Sequence, residues 1–296
     1  MSRRALITGI TGFIGGKLAS RLLADGWHVE AIVRPTSDIS GLPFADAVTF
    51  HKVEDGQNLT PVLVASAPDI VFHLASLYLA EHHSDQVDDL VRSNILLPAL
   101  LAQAMADAGV RCLINTGTAW QHFRGESYMP VNLYAATKQA TEDLLRYYND
   151  VGALSVVTLR LFDTYGKGDK RRKLVQTLIE AAHSGTTLAM SPGDQIVDLT
   201  HVDDVVEGFI VAAKRLLNAS SPVFEAYLLS GERFSVKEMA SVVAKTLGRT
   251  LSPDFGGRPY RAREVMVLAD AGIPLPGWQR RHQLIDHIAQ HRGLAP

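Results

Sequence analysis

Three glycines near the N-terminus constrain the fold of this chain more than any other feature. Gly9, Gly12 and Gly15 lie between a short apolar run and a segment whose apolar residues recur every four positions. Between a strand and a helix, this spacing provides a tight turn, lets backbone N–H groups approach a pyrophosphate and packs the helix on the strand. The sequence therefore predicts that a dinucleotide binds at this turn. The expected contacts here are Gly9, Thr11, Gly12, Phe13, Ile14 and Gly15.

Short apolar runs alternate with helical patterns through the first half of the chain. Such alternation predicts an α/β fold, with a doubly wound parallel sheet of the Rossmann type. The expected strands are Ala5 to Thr8, Val29 to Val33, Val48 to Val53, Ile70 to Leu74, Cys112 to Asn115 and Val156 to Leu161. The expected helices between them include Pro61 to Ser66, Leu90 to Ala108 and Leu133 to Tyr148.

The second half of the chain has a looser pattern, and we expect it to add a smaller α/β lobe for substrate. We predict an NADP-binding domain over residues 1–165 and a mainly substrate-binding lobe over 166–296, with the chain crossing between the two. Further helices are expected over Val205 to Leu217, Val236 to Leu247 and His282 to His291. The basic run Lys170 to Lys173 is interpreted as a solvated loop rather than a nucleic-acid contact.

Composition excludes several classes of partner. The 296 residues carry a formal net charge of −2, so the chain has no general attraction to nucleic acid or anionic membranes. The longest apolar stretch, Ile95 to Met105, is too short to span a bilayer. The first residues lack the features of a secretory signal, and a cytoplasmic location is expected. No metal is expected: His287 and His291 lie one helical turn apart, a spacing compatible with a metal, but no cluster of Asp, Glu or Cys ligands accompanies them.

The end of the second predicted strand indicates which dinucleotide is bound. An acidic residue there would bind the ribose hydroxyls of NAD, but the strand ends at Arg34, with Ser37 close behind. A guanidinium matches the additional phosphate of NADP, so NADP(H) is favoured over NAD(H). Asp55, just past the third strand, is a candidate acceptor for the adenine amino group.

Tyr134 and Lys138 form the candidate catalytic pair. They are four residues apart, so a helix places the phenol and the ammonium on one face, about one turn apart. A free tyrosine has a pKa near ~10, whereas a proton donor at neutral pH works best near ~7, a gap of ~4 kcal/mol. One unit charge at ~4 Å and an effective dielectric of ~20 supplies about that energy. Lys138 is therefore predicted to lower the pKa of Tyr134.

These motifs, in this order, resemble the extended short-chain dehydrogenase/reductase family, in its nucleotide-sugar epimerase, dehydratase and 4-ketoreductase branch. The similarity extends over most of the chain. It is carried by Thr8 to Gly15, His73 to Ala75, Thr116 with Trp120, Tyr134 with Lys138, Arg160 to Phe162 with Tyr165 and Gly166, Gln195 with Asp198, His201 to Asp204, and Arg261 with Glu264 and Val265.

The resemblance implies roles for individual residues. Thr116 is expected to hydrogen-bond the reacting oxygen, with Thr118 as a second candidate. Tyr134 is expected to exchange its proton, and Lys138 to hold the nicotinamide ribose. Leu74 and Ala75 are implied as cofactor contacts. The implied substrate contacts are Thr118, Gln195 and Arg261. The family often pairs through two long helices, so a homodimer is also expected.

Departures from the family pattern narrow the reaction. Sugar dehydratases of this family carry an Asp–Glu pair directly after the catalytic threonine, but Gly117 and Thr118 stand there. The second acid–base pair needed for elimination is thus missing. The preference for NADP(H), and the resemblance of Asn115 to His122 to 4-ketoreductases of nucleotide-linked sugars, imply that reduction of the 4-keto group of a nucleotide-linked 6-deoxy sugar is the favoured reaction. The alternatives are a nucleotide-sugar 4-epimerase, a reductase of small aldehydes or ketones, and a non-catalytic NADP-binding regulator.

Overall fold

The structure is a computed structural model that describes residues 2–268 and 272–292. Its strands are β1 (Arg4–Thr8), β2 (His28–Val33), β3 (Val48–Lys52), β4 (Ile70–His73), β5 (Cys112–Thr118), β6 (Ser155–Leu161), β7 (Asp163–Tyr165), β8 (Leu188–Met190), β9 (Ile196–His201), β10 (Phe224–Leu229), β11 (Glu232–Ser235), β12 (Pro253–Phe255) and β13 (Ile273–Pro274). Its α-helices are α1 (Phe13–Ala24), α2 (Thr60–Ser66), α3 (Val87–Val91), α4 (Leu97–Ala108), α5 (Leu133–Asp150), α6 (Leu174–Ser184), α7 (Val202–Leu217), α8 (Val236–Leu247) and α9 (Leu284–Ala289).

An eight-stranded parallel sheet forms the centre of the fold. Its strand order is β13-β10-β6-β5-β4-β1-β2-β3, so the direction of winding reverses between β1 and β4. Helices cover both faces, and the predicted doubly wound α/β class is confirmed. Ligands of such sheets bind at the carboxyl ends of the strands beside the reversal point. The segments after β1, β4 and β5 meet at that position.

Two apolar clusters hold the helices to the sheet. On one face α1 and α7 pack against the strands, and Phe72 of β4 and Phe209 of α7 are both fully buried with ring centroids 6.4 Å apart. On the other face α2, α4 and α5 contribute Leu63, Leu101 and Leu145. Burying each of these large side chains contributes about 1.5–3 kcal/mol to stability. The strand ends that carry the site are therefore held in place from both sides.

The strand β10 was not predicted, and it extends the central sheet by pairing in parallel with β6. Glu225 interrupts its apolar pattern, so the strand is not recognisable as an apolar run in the sequence. In the fold, the Glu225 carboxylate accepts two hydrogen bonds from the Arg215 guanidinium of α7, at 2.7 and 2.8 Å. This ion pair compensates the negative charge of Glu225, so the residue is tolerated within the strand.

The helix predicted over Leu90 to Ala108 is not one continuous α-helix. It starts at Val87, and a π-helical segment, Arg92–Leu96, separates α3 from α4. Within this segment the Asn94 amide donates to the Leu77 carbonyl at 2.9 Å and to the Thr137 hydroxyl at 3.0 Å. The wide turn thus ties the segment after β4 to α5, which carries Tyr134 and Lys138.

A second, smaller group of elements begins with β7. Its strands form a three-stranded sheet, β11-β9-β7, and a two-stranded sheet, β12-β8. Residues of α6, α8 and α9 share an apolar cluster around Met239 and Leu284. The chain also returns to the large sheet through α7, β10 and β13. The division at 165/166 stays a prediction. Among residues 2–268 and 272–292, no helix has both the length and the apolar character needed to cross a membrane.

Candidate active site

The glycine turn is packed so closely that no other residue fits at two of its positions. Gly9 has φ +78°, and a Cβ there would lie 2.5 Å from the Ala75 backbone nitrogen. A Cβ at Gly15 would lie 2.2 Å from the Gly9 carbonyl oxygen. Gly12 caps α1 without a side-chain hydrogen bond, so the first N–H groups of the helix have no capping side chain. This geometry fits the pyrophosphate of a dinucleotide, which binds to such groups.

A cavity of about 390 Å³ lies on the side of the turn toward β2 and β3. An adenosine with its ribose matches this position, because the second strand of such sheets ends at the ribose. Ser37 and the π-helical segment also contribute to its wall. The residues that the sequence predicted here, and that line the cavity, are Gly9, Thr11, Gly12, Arg34, Asp55, Leu74 and Ala75.

A second cavity, of about 270 Å³, lies on the other side of the turn, over the ends of β5 and β6. It shares Gly9, Gly12, Leu74 and Ser76 with the first cavity, so the two meet at the glycine turn. Among the predicted residues that line it are Phe13, Ile14, Gly15, Thr116, Thr118 and Tyr134. The glycine turn and the candidate catalytic hydroxyl groups therefore face one space.

The first turns of α5 position the Tyr134–Lys138 pair. The Asn132 side chain accepts a hydrogen bond from the Ala135 N–H at 2.9 Å and so starts the helix just before Tyr134. Tyr134 packs edge-on against Tyr78, with centroids 5.0 Å apart, in the wall of the second cavity. Lys138 lies deeper and is 2% exposed. The phenol thus lines the cavity, and Lys138 lies about one helical turn further along α5, in the protein interior.

The pKa of Tyr134 departs from the sequence-based expectation. Burial raises this pKa, and the neighbouring Tyr78 adds to the increase, whereas a hydrogen bond with Ser76 acts in the opposite direction. The prediction that Lys138 lowers the pKa below its usual value is therefore wrong for the protein alone. Desolvation of the phenolate is the larger effect. Burial thus favours the neutral phenol of Tyr134 over the phenolate.

Lys138 and His73 are both affected by the lack of water around them. Burial lowers the pKa of Lys138 to about 8, while the Glu142 carboxylate acts in the opposite direction. Burial, and repulsion by Lys138, lower the pKa of His73 to about 3, so this imidazole is neutral. Its Nδ1 lies 2.8 Å from the Thr8 hydroxyl, at the start of the glycine turn. Of these two buried groups, Lys138 is the one that titrates close to physiological pH.

The pKa of Lys138 leads to a prediction on pH dependence. Lysine is cationic below its pKa, so the ammonium is present below about pH 8 and is lost as the pH rises through that value. We expect kcat/KM for the catalysed reaction to fall by about tenfold per pH unit above this pKa, because the neutral amine no longer stabilises charge on the phenolic oxygen. A pH–rate profile checks this, with circular dichroism over the same range to exclude unfolding. A flat profile up to about pH 10 would contradict it.

The two candidate threonines differ in their contacts. The Thr116 hydroxyl donates to the His73 backbone carbonyl at 2.8 Å, at the rim of the cavity. The Thr118 hydroxyl accepts from the Trp120 N–H at 3.3 Å, and its side chain is buried. Thr116 needs only a rotation of its hydroxyl to donate to a ligand in the cavity. Thr118 is more engaged in shaping the turn after β5.

Two predicted substrate contacts are not brought into the cavities. The Gln195 amide donates to the Ser191 hydroxyl at 2.7 Å, and Gln195 is not among the described residues that line either cavity. Arg261 is ion-paired with Glu264 at 2.8 Å, and its guanidinium lies 5.5 Å from the centroid of the Trp120 ring, which itself lines the second cavity. Arg261 is thus close to the rim, and Gln195 is held elsewhere. Their roles as substrate contacts stay predictions.

Several residues that line the second cavity were not predicted from the sequence as site residues. Tyr78 and Trp120 form an aromatic wall with ring centroids 5.9 Å apart. Arg171 and Lys173 also line the cavity, a position that the interpretation of the run Lys170 to Lys173 as a solvated loop did not include. Nothing in the local sequence distinguishes such cations from surface charges. Their position depends on how the loop after β7 packs.

A group of titratable side chains lies outside the two cavities. Potential ligand atoms of His201, Asp203 and His282 lie within 4.8 Å of one another. However, Nδ1 of His201 accepts from the Asp203 N–H at 3.3 Å, and Nδ1 of His282 is 2.8 Å from an oxygen of Asp204. The two imidazole rings stack at an angle of 22°, which directs their in-plane lone pairs side by side rather than toward one point. His287 and His291 are not in this group.

Comparison with known proteins agrees with this geometry. The model of the NAD dependent epimerase/dehydratase family matches residues 5–225. A CDP-abequose synthase of Yersinia pseudotuberculosis is 27% identical over 271 residues, 89% of this chain and 91% of that protein. A UDP-glucose 4-epimerase of Mycolicibacterium smegmatis is 29% identical over 325 residues, 97% of this chain and 96% of that protein.

The fold is also shared with solved structures. MoeE5 in complex with UDP-glucuronic acid and NAD superposes with a TM-score of 0.82 at 26% identity, covering 97% of this chain and 96% of that one. The matches thus extend over the glycine turn, the Tyr134–Lys138 pair and the second lobe. The chain belongs to the NAD dependent epimerase/dehydratase family of extended short-chain dehydrogenases/reductases.

Proposed function

We propose that this protein is an NADP(H)-dependent reductase of the 4-keto group of a nucleotide-linked 6-deoxy sugar. The observation that carries the proposal is that the Tyr134 and Thr116 hydroxyl groups line one cavity, where both can donate to a carbonyl oxygen. A reductase starts its turnover with a proton donor, whereas an epimerase first needs a base to oxidise its substrate. The similarity to a CDP-abequose synthase, a 4-keto reductase, supports the same reaction.

The residues divide the reaction between them. A bound NADP(H) would supply the hydride to C4 of the sugar. Tyr134 donates its phenolic proton to the C4 oxygen, which becomes a hydroxyl group. Thr116 turns its hydroxyl from the His73 carbonyl to the same oxygen and stabilises the developing negative charge. The Lys138 ammonium stabilises the phenolate that remains until Tyr134 regains a proton.

The environment of Gly117 argues against dehydration. A Cβ at Gly117 would lie 2.8 Å from Oε1 of Gln121 and 2.9 Å from the Thr158 methyl group. The Gln121 amide is itself fixed, because it donates to the Glu142 carboxylate at 2.7 Å. An acidic side chain at position 117 therefore has no space without rearranging this network. Elimination of water from the sugar lacks its acid–base pair here.

The preference for NADP(H) rests on the first cavity. Arg34 and Ser37 both line it at the end of β2, where the ribose of a dinucleotide is expected. A guanidinium and a hydroxyl are suitable partners for a 2′-phosphate. Asp55 also lines this cavity and is the candidate partner of the adenine. We propose in addition that the protein acts as a homodimer in the cytoplasm.

A substrate assay separates the candidate reactions. The purified chain is mixed with a CDP-linked 4-keto-6-deoxy sugar and NADPH, and both NADPH oxidation and the sugar product are followed. We expect stoichiometric oxidation, with a higher kcat/KM for NADPH than for NADH. Interconversion of UDP-glucose without net cofactor change would instead identify a 4-epimerase. Equal rates with small aldehydes or ketones would identify a reductase that needs no nucleotide on its substrate.

A further inference from the structure

The loop between β7 and α6 crosses the glycine turn. At one end of the loop, Lys173 lies with its ammonium 4.4 Å from the centroid of the Tyr78 ring, next to Tyr134 in the second cavity. In the middle of the loop, the charge of Lys170, after the hydrogen bonds with Ser40, helps to lower the pKa of Asp38, which follows β2. Arg171 lies between them, with its guanidinium 5.0 Å from the centroid of the Phe13 ring. The loop therefore follows the path of a dinucleotide from the nicotinamide side to the adenosine side.

The Arg171 guanidinium is held in one orientation. Its Nε donates to Oδ1 of Asp169 at 2.7 Å, and its Nη2 donates to Oδ2 of the same carboxylate at 2.7 Å. Nη2 also donates to the Thr164 backbone carbonyl at 3.1 Å, at the end of the sheet. The Asp169 side chain is only 8% exposed, so this contact is a partly buried, two-point ion pair. The side chain is pre-organised before any ligand arrives.

The other edge of the guanidinium is available for a ligand. Within the described part of the chain, no hydrogen bond engages Nη1 of Arg171, although 42% of the side chain remains accessible. Arg171 lines the same cavity as Gly12 and Phe13, where α1 starts without a capping side chain. Helix N–H groups and a fixed guanidinium on one cavity wall make a suitable site for a phosphate.

We propose that Arg171 binds the pyrophosphate of the dinucleotide and so fastens the loop between β7 and α6 over the cofactor. The pyrophosphate would then lie between the N-terminus of α1 and the guanidinium, and the Phe13 ring would pack against the face of the arginine. Phosphate recognition is shared by NADPH and NADH, so this contact adds affinity without choosing between them. The inference depends on the dinucleotide use proposed above, and not on which sugar is reduced.

A ligand series tests this contact by direct binding, without turnover. Dissociation constants of the full chain are measured calorimetrically for NADPH, NADH, ADP-ribose and 2′-AMP, the last of which lacks a pyrophosphate. In Arg171→Ala we expect the first three to bind about tenfold to hundredfold more weakly, because a charge-assisted hydrogen bond is lost, and 2′-AMP to be unchanged. Arg34→Ala should give the converse pattern, weakening NADPH and 2′-AMP while sparing NADH and ADP-ribose.

Arg172→Ala is the matched control, since it removes an exposed charge from the same loop. It should leave all four dissociation constants unchanged, and Arg171→Lys should recover only part of the lost affinity, because an ammonium cannot keep the two-point contact with Asp169. Unchanged ADP-ribose binding in Arg171→Ala would overturn the inference, as would an equal loss in Arg172→Ala. If the wild-type chain binds none of the dinucleotides, the proposed cofactor fails as well, which is a distinct result. Thermal unfolding of each variant shows whether an altered affinity reflects an altered fold.

Discussion

Replacing Tyr134 with phenylalanine is expected to lower kcat by about 10² to 10⁴-fold and to leave dinucleotide binding unchanged. The substitution removes the phenolic proton, and proton transfer from a positioned side chain contributes a factor of this size. The ring itself remains, so its edge-on packing against Tyr78 at 5.0 Å is kept. The measurement is the steady-state rate of the reduction, together with the NADPH dissociation constant.

Tyr147→Phe is the control for this experiment. It lies on the same helix, α5, and its side chain is 62% exposed, away from both cavities. We expect it to retain wild-type kcat. If Tyr134→Phe turned over at the wild-type rate, another group would have to donate the proton, and the assignment of the catalytic phenol would be wrong. If it lost both kcat and NADPH binding, the role of Tyr134 would be structural.

Gly9→Ala is expected to destabilise the fold by roughly 2–5 kcal/mol and to abolish measurable dinucleotide binding. Placing a Cβ at φ +78° costs about 1–2 kcal/mol. The Cβ would also lie 2.5 Å from the Ala75 backbone nitrogen, and overpacking of this kind costs about 1–3 kcal/mol. The neighbouring atom belongs to the main chain after β4 and has no rotamer to change. Either the turn after β1 or the end of β4 must therefore shift, and both line the cofactor cavity.

Gly26→Ala provides a matched comparison. Gly26 has φ +79°, almost the same backbone conformation, but a Cβ there meets nothing within 4 Å. We expect this variant to lose only the backbone contribution of about 1–2 kcal/mol and to bind NADPH normally. Urea unfolding and NADPH binding of the two variants give the difference that is due to the close approach alone. Equal destabilisation by both variants would show that the contact of Gly9 with the segment after β4 is not important.

The local features of the site could be predicted because each depends on neighbours in the chain. The turn from Gly9 to Gly15 is short, and its spacing alone specifies a strand followed by a helix. The four-residue separation of Tyr134 and Lys138 places them on one helix face in any α-helix. The central sheet also follows from apolar runs, except for β10 and β13. In β10, Glu225 conceals the strand until its partner Arg215 is known.

Features that depend on distant contacts could not be predicted in this way. Burial beside Tyr78 and Ser76, which follow a different strand, raises the pKa of Tyr134. This increase outweighs the lowering of the pKa that we expected from Lys138. In the sequence, nothing distinguishes Arg171 from other surface cations. Its orientation in the fold is set by contacts with Asp169, Thr164 and the Phe13 ring.

The sequence by itself determined the class of fold, and it predicted the phosphate-binding turn and the pairing of the phenol with the ammonium. These depend on spacing within one turn or one helix, where the backbone geometry leaves little freedom. Only the tertiary structure decided which loop cations line the second cavity, which carbonyl accepts from the Thr116 hydroxyl, and in which direction the pKa of Tyr134 is shifted. Those properties arise from desolvation and from contacts between residues far apart in the chain, and the order of residues does not encode them locally.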